Sequence, residues 1–202
     1  MKTLELPLVA GFEDLEKFAL APVDHVCWPG EFPYAPVVNA RLAHTADAIL
    51  VRFDVTEKNV KAVATENNGN VWEDSCVEFF VKVPGSENYF NFETNCIGVG
   101  LAAKRRSRSD CDHFDDATMA RIERRSSLPL QIIDTKGDCT WSLELKVPFD
   151  LLGCEDVPEE LFANLYKCGD KTEEAHFLSW NPVLTEKPDF HRPEYFGKLI
   201  MK

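Results

Sequence analysis

The chain has 202 residues, 45% of them hydrophobic, enough for one large domain with a sizeable core. A formal net charge of −12 and an isoelectric point near 4.9 oppose phosphate backbones and anionic bilayers, so nucleic acid and membrane are poor partners. Seven cysteines, with no Cys-x-x-Cys among them, predict free thiols in a reducing compartment and neither a disulfide framework nor a zinc site; residues 1–7 lack the apolar run of a secretory leader, so the expected location is cytoplasmic.

Residues 1–36 read as an approach segment packed on a domain that occupies 37–202. Within it, 12–20 (FEDLEKFAL) is set for a short N-terminal helix with Phe12, Leu15 and Phe18 on one side. Trp28-Pro29-Gly30 and Phe32-Pro33-Tyr34-Ala35-Pro36 are too proline-rich for regular structure. Residues 37–43 and 49–55 predict a hairpin about the turn His44-Thr45-Ala46-Asp47. Ile49, Val51, Phe53 and Val55 point inward, and Arg52 and Asp54 outward. Residues 57–70 read as a polar loop ending in the turn signal Asn67-Asn68-Gly69-Asn70.

The stretch 72–83 (WEDSCVEFFVKV) organises the rest. Read with period two, Val77, Phe79, Val81 and Val83 share one face, and Trp72, Asp74, Cys76, Glu78 and Phe80 the other. The strand at 89–95 returns beside it with Phe90 and Phe92 inward. Tyr89, Asn91, Glu93 and Asn95 then join the outer face. Aromatic rings mixed with carboxylates and amides suit a sugar, which offers flat C–H surfaces and hydroxyls together. The same pattern fits an ordinary strand with a second small core on its outer face.

Further on, 97–103 is a short strand, 104–108 a basic cluster, 109–116 an acidic loop and 119–125 a solvated strand. Residues 131–134 and 141–147 flank a Lys136-Gly137-Asp138 turn. Trp141, Leu143, Leu145 and Val147 alternate cleanly, which assigns Trp141 to the core. Residues 148–153 form one helical turn, and 161–167, 177–180 and 196–201 form strands around an irregular, proline-broken 181–192. About ten short strands, with turn signals roughly every 8–12 residues, predict an all-β fold: a single antiparallel β-sandwich of jelly-roll or immunoglobulin-like type.

Three stretches, in order, resemble family 9 carbohydrate-binding modules and their DOMON-like relatives. Val71-Trp72-Glu73-Asp74-Ser75-Cys76-Val77-Glu78-Phe79-Phe80 resembles the motif Trp-x-Asp-Asp-Ser-Val-Glu-x-Phe, with Glu73 in place of the first Asp. Gly137-Asp138-Cys139-Thr140-Trp141-Ser142-Leu143-Glu144-Leu145-Lys146-Val147-Pro148 resembles the strand Gly-Trp-x-x-Glu-x-x-Ile-Pro. Ser179-Trp180-Asn181-Pro182, followed by 188–197 (PDFHRPEYFG), is similar to the C-terminal signature of the bacterial branch. The resemblance implies a non-catalytic sandwich in polysaccharide or glycan catabolism. One sugar unit or chain end of a mono- or oligosaccharide would be clamped between two tryptophans and held by polar side chains. Trp72 matches the first tryptophan and Trp180 the second, Glu78 the motif glutamate, Asn95 a strand-end contact, and Arg105 or equally Arg106 the cationic contact. Glu93 shares their face and supplies a further acceptor.

Other chemistries are weaker. Asp74, Asp112, Asp115 and Asp116 offer oxygen ligands to Ca2+, but no Asp-x-Asp-x-Asp-Gly loop is present. Asp74, Glu78 and Glu93 offer a carboxylate pair for glycoside hydrolysis, although an open sandwich face encloses substrate poorly. A haem protein needs inward His or Met ligands, and the three methionines are at 1, 119 and 201. An interaction domain with no small ligand is the remaining reading, and no cofactor is expected.

Overall fold

A computed structural model describes residues 1–202. The strands, in chain order, are β1 (Thr3–Leu6), β2 (Ala21–Pro22), β3 (His25–Val26), β4 (Val37–His44), β5 (Ala48–Lys58), β6 (Lys61–Ala62), β7 (Cys76–Lys82), β8 (Tyr89–Asn95), β9 (Gly100–Arg105), β10 (Cys111–His113), β11 (Glu123–Ser126), β12 (Ile133–Asp134), β13 (Asp138–Pro148), β14 (Glu160–Cys168), β15 (Phe177–Ser179) and β16 (Gly197–Met201). One sheet runs β1-β16-β14-β7-β8-β9-β10, and β15 extends from β14 and carries β3 at its edge. The second runs β11-β13-β5-β4-β2, and β6 pairs with β12 separately. The result is an all-β sandwich, as the alternating pattern predicts. All strand pairs are antiparallel except β1 with β16, which join the two chain ends in parallel and need no hairpin between them.

The core between the sheets comes from strict alternation. Ile49, Val51, Phe53 and Val55 of β5 and Trp141, Leu143, Leu145 and Val147 of β13 are at most 1% exposed. They meet Val77, Phe79 and Val81 of β7 and Phe92 of β8 in one cluster. The outer face of the five-stranded sheet is covered at one end, where Phe12 and Leu15 pack on Ala43 and Leu50, and carries polar side chains elsewhere. There Arg52 bonds Asp54 and Glu144, and Arg41 bonds Asp54.

The outer face of the larger sheet is covered instead. Residues 76–81 are buried on both sides, because the tail after β15 folds back over the strand. Tyr166 stacks on Phe190 at 4.1 Å and meets Phe80 edge-on at 5.1 Å. The second small core on the outer face is therefore present, and a cavity opens within it.

Several local expectations change. Residues 12–17 form a 3₁₀ helix, with Phe12 and Leu15 buried, shorter than the expected 12–20. Residues 1–36 are built into both sheets: β1 adds to β16, β2 to β4 and β3 to β15. Residues 57–70 are not wholly loop, since β5 continues to Lys58 and places Glu57 in the core at 2% exposure. Residues 119–125 divide into a short helix α1 (Asp116–Met119), capped by the Asp115 side chain, and β11. No helix is long and apolar enough to cross a membrane.

Candidate functional site

Strand register builds the site. Glu78 of β7 pairs directly with Glu93 of β8, and on its other side with Tyr166 of β14. Glu78 and Glu93 are 3% and 4% exposed. They line a cavity of about 240 Å³ together with Trp28, Trp72, Arg105, Arg108, Cys168, Asp170, Phe177, Pro188, Asp189, Phe190 and His191.

The polar floor is a wired set. Arg105 donates from Nε to Asn91 Oδ1 at 2.7 Å and from Nη1 to the Arg108 carbonyl at 2.7 Å. Asn91 in turn donates to Glu93 Oε1 at 2.7 Å, and the Cys168 thiol donates to Glu78 Oε1 at 3.0 Å. Burial, and then the neighbouring Glu93 carboxyl, hold Glu78 well above the usual carboxylate range. Burial also raises Glu93 to about 7, against the hydrogen bond from Asn91. Asp170 is lifted to about 6 by burial and then by Glu73. His191 falls to about 3, because burial and then Arg105 and Arg108 disfavour its charge, so it stands neutral against the Tyr89 hydroxyl at 3.0 Å.

The aromatic walls have two sources. Trp72 sits in a 3₁₀ turn (Val71–Glu73), half-buried, with its carbonyl accepting from the Asp170 amide. Opposite chemistry comes from the N-terminal segment: Trp28 packs against Phe177 and Phe190, at 5.6 Å from each. Its indole N–H donates to the Thr185 carbonyl at 2.8 Å, which ties the covering tail to the segment before β4.

Of the sequence-expected residues, Trp72, Glu78, Glu93 and Arg105 come together at this cavity. Arg106 does not; it pairs with Asp110 and Asp112 on the surface. Asn95 is fully buried and does not line the cavity: it donates to the Ala64 carbonyl and Asp74 and accepts from the Val99 amide, which locks the turn after β8. Trp180 is also absent from it. At 4% exposure its ring packs on Gly197, and its amide bonds the Leu165 carbonyl. The proline-broken connection after Trp180 carries the chain away, and Phe190 and His191 reach the cavity in its place.

The motif aspartate serves structure. Asp74 accepts from the Val63 and Ala64 amides, at 3.0 Å each, and from Asn95. Asp112 pairs with Arg106, and Asp115 caps α1, so the four aspartates do not converge on a calcium position. Sequence reasoning passed over Trp28, Asp170 and Arg108. The available signal was Trp28 itself, a large aromatic in a segment without strand periodicity and so without an obvious core to fill.

The comparisons follow the geometry. The family model described as "Carbohydrate-binding family 9" matches residues 9–201. The crystal structure of a candidate carbohydrate-binding protein from Bacteroides uniformis ATCC 8492 is 35% identical with a TM-score of 0.92, over 100% of this chain and 99% of that one. Two structures of a family 9 module from Caldicellulosiruptor kristjanssonii share the fold. The complex with cellotriose has 9% identity and TM-score 0.64 over 100% and 94% of the chains; the complex with glucose has 10% and 0.62 over 100% and 96%. No curated protein matches the chain. A family match over nearly the whole length, on a sandwich with this outer-face cavity, establishes that the chain belongs to carbohydrate-binding family 9.

Proposed function

We propose that the cavity binds one sugar unit or the end of a short oligosaccharide, without catalysis, in the breakdown of a polysaccharide or glycan. The observation that carries this reading is the single cavity that joins a half-buried indole, Trp72, to the buried acceptors Glu78 and Glu93 and the donor Arg105. Its volume of about 240 Å³ lies below the roughly 300–1,000 Å³ of drug-sized sites, which favours one ring over a long chain. Trp72 stacks on the C–H face of the ring, and Trp28 is the second indole of the clamp in place of Trp180. The Glu78 and Glu93 carboxyls hydrogen-bond ring hydroxyls, while Arg105 and Asp170 fix the remaining ones. The glucose and cellotriose complexes of the Caldicellulosiruptor module support this ligand class.

Calorimetric titration with glucose, cello-oligosaccharides and a wider sugar panel tests the proposal, with Trp72→Ala as control. Heat that disappears in a folded Trp72→Ala variant supports it. No heat across the panel from folded protein rejects it. Steady release of reducing ends would transfer Glu78 and Glu93 to a hydrolytic role.

A further inference from the structure

The cavity floor carries a second chemistry. Cys76 of β7 and Cys168 of β14 stand directly opposite each other, and Glu78 lies two residues beyond Cys76 on the same face. Their two sulfurs and a carboxylate oxygen all fall within 4.8 Å of one another, and all three residues are buried. Cys168 and Glu78 line the cavity, with Cys76 sealed behind them.

We propose that Cys76, Cys168 and Glu78 form a zinc site whose fourth coordination position opens into the cavity. Two sulfurs exclude hard cations such as Ca2+ and Mg2+, which take oxygen ligands. Two thiolates and a carboxylate are a donor set for four-coordinate Zn2+, and three protein ligands leave one place for water or a hydroxyl of the bound molecule. Zn2+ replaces the two thiol protons and the Glu78 carboxyl proton, which leave to solvent, and no electron is transferred. Three negative ligands exceed the charge of the ion by one. Arg105 answers that surplus: it is 6% exposed, its Nε and Nη1 serve neutral acceptors, and no carboxylate pairs with it. The ligands project from two paired central strands, a rigid frame of the kind metal sites need. Linear spacing conceals the group, because Cys76 and Cys168 meet only through strand pairing.

The test uses the full chain, reduced and stripped of metal with a chelator, then titrated with Co2+ followed by Zn2+. The expected result is one equivalent of Co2+ with a near-ultraviolet thiolate-to-cobalt band and the visible bands of a four-coordinate ion, bleached by Zn2+. Cys76→Ser and Cys168→Ser abolish the band, and Cys111→Ser, on β10, retains it. A reduced wild-type protein with no thiolate–cobalt band overturns the proposal. So does a band that persists in folded Cys168→Ser. If the serine variants fail to fold, the wild-type titration still decides, with mass analysis: Zn2+ protection of Cys168 from alkylation supports the site, and no band, or a Cys76–Cys168 disulfide that persists in the reduced sample, refutes it. Failure of sugar binding leaves this result untouched, because the metal titration contains no sugar.

Discussion

Glu78 and Glu93 face each other on adjacent strands, two buried carboxyls in one cross-strand pair. Burial, and for Glu78 the neighbouring Glu93 carboxyl after it, makes the native state favour protons on the pair. Glu93, raised from 4.5 to about 7, binds protons in the folded chain that the unfolded chain has already released. Its contribution therefore falls as pH rises toward and through 7. The lowered His191 and His176 oppose this up to about pH 7.5, because the unfolded chain still charges half of each at pH 6.5. Between about pH 6.5 and 8, denaturant unfolding is expected to show the stability of Glu93→Gln rising relative to the wild type by about 1 kcal/mol, because the histidine contributions are common to both proteins. An unchanged slope in Glu93→Gln would assign the pH dependence elsewhere.

Trp180 and Trp72, equivalent in the resemblance, separate in the structure. Trp180→Ala empties a buried volume and should cost about 3–5 kcal/mol. Gly197→Ala should also destabilise, since a methyl there collides with the Trp180 ring. Trp72→Ala, at a half-buried turn, should leave the melting temperature nearly unchanged and remove sugar binding. Thermal melts of the three variants check this ordering.

Inside the sandwich, Lys167 Nζ lies 2.9 Å from Glu57 Oε2 with both side chains fully buried. Glu57 Oε1 also accepts from the Trp141 indole at 2.8 Å. His176 Nε2 stands 2.7 Å from the Lys167 ammonium and accepts from it, while Nδ1 donates to the Glu174 carbonyl. The lowered His176 pKa, caused by burial and then by Lys167, agrees with that neutral form. Lys167→Met strands the Glu57 charge and should cost about 3–5 kcal/mol. Lys167→Met with Glu57→Gln should cost less than Lys167→Met alone. Urea unfolding of single and double variants measures the difference.

The sandwich and the outward set Glu78, Asn91 and Glu93 were legible because period-two alternation depends only on local geometry. The covering of that face was not. It arises from residues 181–192, where prolines remove periodicity, and from tertiary contacts such as Phe190 on Tyr166. Trp180 illustrates the same limit: a motif fixes its place on β14's neighbour, but packing on Gly197 decides where the ring goes. Glu57 was hidden because a polar residue at the end of an apolar strand looks solvated until a buried lysine from β14 meets it.

Four tryptophans, at 28, 72, 141 and 180, give four indole N–H resonances in a protein labelled with nitrogen-15. Titration with a sugar from the binding panel should move the Trp72 and Trp28 signals and leave those of Trp141 and Trp180 in place. Shifts at Trp180 with Trp72 unmoved, or four unmoved signals at saturating sugar, would contradict the cavity as the binding site.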